Sequence, residues 1–259
     1  MARFEHLEFG PDANDRDQPK LKPEDDERTA MADADDCRRR GQYESALRFY
    51  SRALEYDKSL VLSWVGQVQM LVQLGEAPEA ELWARKALEL FPGNGELLAA
   101  RAQALCRVGD AAQAGAVCDG AMAAAGRSAF RWQARGEWML ACRQKMDEHC
   151  FAKAQELDRD WLVALESALI YLHYHFPSRA VVRARLATEL APNQYYPWFV
   201  RGKAEAELGL RQPATDSFDH CLQLCPRHVE AEEQKQLLNA GWSAGGMWRA
   251  CRNVFRRRR

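Results

Sequence analysis

The sequence predicts an all-α fold, a solenoid of stacked helix-turn-helix pairs. Two kinds of observation predict it: small residues recur at a fixed long period, and apolar positions follow helical rather than alternating spacing. Gly41, Ala46 and Ala53 are matched 34 residues on by Gly75, Ala80 and Ala87, and 34 further on by Gly109, Ala114 and Ala121. Gly209, Ala214, Cys221 and Pro226 repeat the register of Gly75, Ala80, Ala87 and Pro92, each 134 residues later. Self-similarity at a period of this length is the mark of a repeat architecture, in which each unit is one supersecondary element. No segment alternates strand with helix, so no sheet is expected.

Each feature of the repeat has a physical reason. Ala80 and Ala87, like Ala114 and Ala121, are seven apart and fall on one helical face, where a small side chain lets a neighbouring helix approach. Gly41, Gly75, Gly109 and Gly209 end the first helix of a pair, where the chain turns through the left-handed region. Pro92, Pro192 and Pro226 stop the second helix, which proline cannot continue. Trp64, Trp132 and Trp198 open their units and are expected to fill the space between neighbouring pairs. No pair can bury its apolar stripe alone, so stability is roughly a sum over neighbour contacts.

With these residues in place the chain resembles the tetratricopeptide repeat family. Six units are expected over 27–228. The first, 27–60, carries Gly41, Tyr43, Ala46, Tyr50 and Ala53, with Lys58 where proline is usual. The second, 61–94, carries Trp64, Gly75, Ala80, Ala87 and Pro92, and the third, 95–128, carries Ala102, Gly109, Ala114 and Ala121. The fourth, 129–160, carries Trp132, Gly136, Phe151 and Ala154, is about two residues short, and lacks the turn glycine. The fifth, 161–194, carries Ala168, Ala180, Ala184, Ala187 and Pro192, with His175 at the turn. The sixth, 195–228, carries Trp198, Gly202, Gly209, Ala214, Phe218 and Pro226. The resemblance implies a right-handed superhelix closed by a capping helix over 229–240.

Both ends depart from the repeat. Residues 1–36 carry seven more acids than bases, while 241–259 hold six arginines and no acid, although the 259-residue chain has a formal net charge of −1. Residues 1–26 are expected to be a largely disordered acidic arm, with Phe4, Leu7 and Phe9 either a docking motif, packed back on the first pair, or simply unpacked. In the basic tail 241–259, Gly241, Gly245 and Gly246 suggest a joint. Beyond it Met247, Trp248, Cys251, Val254 and Phe255 could line one face of a helix beside Arg249, Arg252 and Arg256, with Arg257, Arg258 and Arg259 following. Such a basic amphipathic helix suits a membrane surface or an acidic partner; the plainer alternative is a packed terminal helix. The start has no run of apolar residues suited to a signal peptide, and the eight cysteines are scattered without a CxxC, so a cytoplasmic chain with reduced thiols is expected.

The function expected is non-catalytic: an adaptor, scaffold or assembly subunit that holds a partner helix or peptide in an apolar groove lined by first helices. The positions that the resemblance places on the groove are Leu62, Val65, Gln69 and Val72; Gln103; Phe130 and Gln133; Leu162, Leu165, Leu169 and Leu172; and Tyr196, Phe199 and Lys203. If the register slips, these residues become inter-repeat core instead. The carboxylate clamp by which some family members grip chaperones is not expected, because Met31, Asp35, Gly66, Glu96 and Ala100 stand at its positions.

No cofactor and no metal are expected. His220, Cys221, Cys225 and His228 offer zinc-type ligands, but Cys221 takes the small buried position of the repeat and His220 turns away from the face that Cys221 and Cys225 share. His149–Cys150 and the His173, His175 pair are weaker still. No P-loop, GxGxxG or HExxH occurs, and the carboxylates are spread over helix faces, so no enzymatic site is expected. The alternative to a protein partner is a nucleic acid or anionic membrane surface held by the arginine tail. Self-association is a further expectation, the acidic arm of one copy meeting the basic tail of another.

Overall fold

The computed structural model describes residues 27–240. The Phe4, Leu7 and Phe9 motif and the tail residues Trp248, Arg249, Arg252, Phe255, Arg256, Arg257, Arg258 and Arg259 lie outside them. Thirteen α-helices and no strand are found among the described residues, so the fold is all-α. The helices run in pairs: α1 (Glu27–Arg39) with α2 (Tyr43–Tyr56), α3 (Val61–Leu74) with α4 (Ala77–Leu90), and α5 (Gly95–Val108) with α6 (Ala111–Ala123). Then follow α7 (Ala129–Ala141) with α8 (Asp147–Leu157), α9 (Trp161–His173) with α10 (Pro177–Leu190), α11 (Tyr195–Glu207) with α12 (Arg211–Leu224), and α13 (Val229–Ala240). They form two compact units that divide between Ala124 and Ala125.

The small residues do what their spacing predicts. Ala46, Ala53, Ala80, Ala87, Ala114, Ala121, Ala180, Ala187, Ala214 and Cys221 have no exposed surface. Gly41, Gly75, Gly109 and Gly209 have φ of 72°, 83°, 97° and 76°, the left-handed turn that a side chain resists. Pro92, Pro192 and Pro226 each follow a helix that ends at Leu90, Leu190 and Leu224. Helix starts are capped where the loop supplies an acceptor: Asn94 accepts from the Glu96 and Leu97 amides, Asp110 from Gln113, Ser128 from Arg131 and Asp160 from Leu162. Each such cap contributes about 1 kcal/mol.

Aromatic rings on second helices settle into gaps left by glycine. A Cβ on Gly136 would stand 2.8 Å from the Phe151 ring, and one on Gly202 would stand 2.6 Å from the Phe218 ring. Where the second helix instead carries Ala84, Cys118 or Ala184 in that register, the first helix carries Val68, Ala102 or Ala168. In the first unit the Tyr50 ring fills the space over Gly66 of α3, at 2.5 Å from where a Cβ would be. Its hydroxyl donates to Asp35 at 2.6 Å.

The tryptophans brace the joints between pairs. The Trp64 indole N–H donates to the Lys58 carbonyl at 2.9 Å, and that of Trp198 donates to the Pro192 carbonyl, also at 2.9 Å. Trp64 also packs on Trp83, with ring centres 6.1 Å apart. In the short fourth pair Arg131 takes over the loop, donating to the Ala125 and Gly126 carbonyls at 3.0 and 3.1 Å. Trp132 there packs against Ala129, Ala154 and Val163.

Candidate interaction site

First helices of successive pairs touch one another, α3 with α5 in the first unit, and α7 with α9, α9 with α11 and α11 with α13 in the second. Their shared face is where a bound segment would lie in a solenoid of this kind. The expected groove residues divide sharply on it. Leu62 is 63% exposed, and Phe130, Leu162, Leu169 and Lys203 are half-buried. Val65, Gln69, Val72, Gln103, Gln133, Leu165, Leu172, Tyr196 and Phe199 are buried. Leu165, 1% exposed, therefore offers no surface to a partner; it is a core residue.

The physical reason is the close approach of neighbouring first helices. Gln133 of α7 donates to the Val163 carbonyl of α9 at 3.0 Å and reaches the Ser167 hydroxyl at 3.5 Å. A side chain that bridges two first helices is consumed by that bridge. Phe199 is likewise held between the Phe218 ring and the His228 ring, at 6.1 and 4.5 Å between centres. The Lys203 ammonium lies 5.5 Å above the Phe199 ring, a cation–π arrangement.

Two acids packed inside the units are paired with cations. Glu205 is fully buried, and accepts from Arg201 at 2.9 Å and from the Ser217 hydroxyl at 2.6 Å. Between α4 and α5, Arg101 grips Glu81 through two nitrogens, both at 3.1 Å. These acids are structural: each is spent on a cation from the same unit.

The His and Cys cluster near the end of α12 is dispersed by the packing. Cys221 is buried, and burial, with Cys225 nearby, pushes its thiol up to about 12. His220 is exposed and stacks on Trp198 at 4.5 Å. His228 accepts from the Ala231 amide at 3.1 Å and so caps α13. Burial holds its imidazole below the usual histidine range, opposed by Glu230. Among the described residues no group of three His, Cys, Asp or Glu side chains is placed to hold a metal ion. No described helix is long and apolar enough to cross a membrane.

One feature escaped sequence reasoning altogether. Asp147 at the start of α8 is buried and accepts from the Tyr171 hydroxyl at 2.8 Å and from the Arg179 guanidinium. Nothing in the repeat pattern marks it, since it lies in the irregular fourth pair.

No family model and no curated protein matches the sequence at a significant level. Solved structures of tetratricopeptide repeat proteins do match the fold. A tetratricopeptide repeat protein from Parabacteroides merdae superposes with a TM-score of 0.51 at 17% identity, over 82% of this chain and 84% of that one. TTC0263, a thermophilic protein of the same kind from Thermus thermophilus, gives 0.50 at 14% identity, over 82% and 98%. A chain of the Cut9–Hcn1 hetero-tetramer of the APC/C gives 0.50 at 14% identity, over 82% of this chain and 43% of that one. The fold is thus the tetratricopeptide-type stack of helix pairs.

Proposed function

We propose that this chain is a non-catalytic protein-interaction module that holds a partner helix or extended peptide against its first helices. The observation that carries this reading is the set of apolar side chains left open on that face. Leu162 and Leu169 of α9 are seven residues apart on one face and only half-buried, beside fully used core neighbours such as Leu165. Phe130 and Lys203 extend the face onto α7 and α11, and Leu62 marks the same position on α3 of the first unit. A row of accessible apolar residues with a cation at its margin suits the apolar stripe of an amphipathic partner helix. The paired buried acids and dispersed histidines support the non-catalytic part.

Full-length protein carrying Leu162→Glu and Leu169→Glu is expected to keep the wild-type helical circular dichroism and to lose most partners captured from lysate and identified by mass spectrometry. A folded variant that captures the wild-type set would refute the groove. The arginine tail supplies the competing reading, a nucleic acid or anionic membrane surface. Deleting 256–259 should leave the captured protein set intact if the first-helix face is the site, and abolish a steeply salt-dependent binding if the tail is.

A further inference from the structure

α13 is the last of the described helices and packs on α12 and α11. Ala231 anchors it with no exposed surface. In its C-terminal half Lys235 pairs with Asp219 of α12 at 2.6 Å, and Arg211 donates to the Leu238 carbonyl at 3.0 Å. Its first turn is fastened differently. The Ala231 amide donates to His228 Nδ1 at 3.1 Å. An imidazole nitrogen thus takes the place that the Asn94 and Asp110 side-chain oxygens take at the starts of α5 and α6.

An imidazole can fill that place only while it is neutral. With Nδ1 accepting, the ring proton sits on Nε2. A second proton lands on Nδ1, turns the acceptor into a donor and sets it against the Ala231 N–H. The same proton puts positive charge at a helix N-terminus, where the helix dipole disfavours it. The half-buried His228 ring lies against Tyr195 and Phe199 of α11, with centres 5.5 and 4.5 Å apart. Lys203, also on α11, holds its ammonium 5.5 Å from the Phe199 ring. From the end of α12 the Cys225 carbonyl accepts from the His228 amide at 3.1 Å. On α13 the Glu232 amide donates to the His228 carbonyl at 3.3 Å, and Glu230 is the acid that favours an imidazolium. Burial outweighs Glu230, so the ring takes its proton below the usual histidine range.

We propose that α13 is a pH-released cap: neutral His228 fastens its first turn, and protonation frees that turn and uncovers Phe199. The sign follows from the bond. The fastening is complete above the usual histidine range and is lost as the pH falls through the folded value. The Lys235–Asp219 pair and the Arg211 bond do not involve His228, so the release is local to the start of α13. Phe199 is 3% exposed and stands one turn before Lys203 on α11. Uncovering it lengthens the apolar row of the first-helix face, a consequence that rests on the reading of that face as the binding site. The release itself does not.

The test is amide hydrogen exchange followed by NMR on the full-length protein, expressed as protection factors corrected for the intrinsic effect of pH. Between about pH 7.5 and about pH 5, a window that spans the usual histidine range, the amides of the first turn of α13 should lose protection. The expected loss is about fivefold, the size of one helix N-cap. Amides in α9 to α12 should keep theirs. Asparagine supplies a capping oxygen that does not titrate, so in His228→Asn the protection of this turn should not depend on pH, whatever its level. His228→Ala should show the low value already at the higher pH. An equal acid-induced loss in His228→Asn, wild-type protection at the higher pH in His228→Ala, or a wild-type loss shared evenly by α9 to α12 would overturn the proposal. None of these readouts needs a bound partner, so they hold or fail independently of the first-helix face.

Discussion

At His175 a side chain is forced into a conformation that other turns of this fold give to glycine. The left-handed region costs an L-residue roughly 1–2 kcal/mol, and His175 sits in it at φ 61°. Glycine removes that cost and adds chain entropy to the unfolded state. His175→Gly is therefore expected to stabilise by about 0.5 kcal/mol, read from the urea midpoint at unchanged slope. Gly202 is the opposite case. A methyl there meets the Phe218 ring at 2.6 Å, so Gly202→Ala should cost about 1–3 kcal/mol, and Phe218→Leu in the same chain should recover part of it. His228 gives a signed pH dependence. Its folded pKa lies below the usual value because of burial, so the unfolded chain binds the proton more readily. Its contribution to stability is complete above the unfolded pKa of about 6.5 and is lost as the pH falls through the folded value. His228→Gln should flatten the denaturation profile between neutral pH and that lower value; an unchanged slope would remove His228 as its source.

Within one helix, neighbouring leucines have different fates. Leu162 and Leu165 are three residues apart on α9, yet the first is half-buried and the second is 1% exposed. Leu165→Ala should cost about 2–5 kcal/mol through the cavity it opens. Leu162→Ala should cost under about 1 kcal/mol, because its surface is still partly wet. Chemical denaturation of the two variants separates them, and equal losses would place Leu162 in the core. The helical period was legible in the sequence for both residues, as were the turn glycines and the buried alanines. The depth of each first-helix position was not. Depth depends on how near the adjacent first helix comes, and on bridges such as Gln133 to Val163, which no pattern within one helix encodes.

Across the whole molecule, stability is expected to be local. The two units each hold their own core, Ala80 in the first and Leu165 in the second, both essentially fully buried. Ala80→Asp should lower hydrogen-exchange protection in α3 to α6 while α9 to α12 keep theirs, since a repeat stack is held by nearest-neighbour contacts. Uniform loss in all helices would show a single cooperative core. The sequence by itself determined the architecture: the 34-residue period, the small residues that let helices meet, and the left-handed turns all act between residues close in the chain. The tertiary structure decided which first-helix residues stay accessible. It buried Leu165 and Phe199, left Leu162 and Leu169 half-buried, dispersed the histidine and cysteine cluster, and buried Asp147 beneath the Tyr171 hydroxyl and the Arg179 guanidinium. Those outcomes arise where two helices from different parts of the chain compete for the same volume, and that competition is settled only when both are in place.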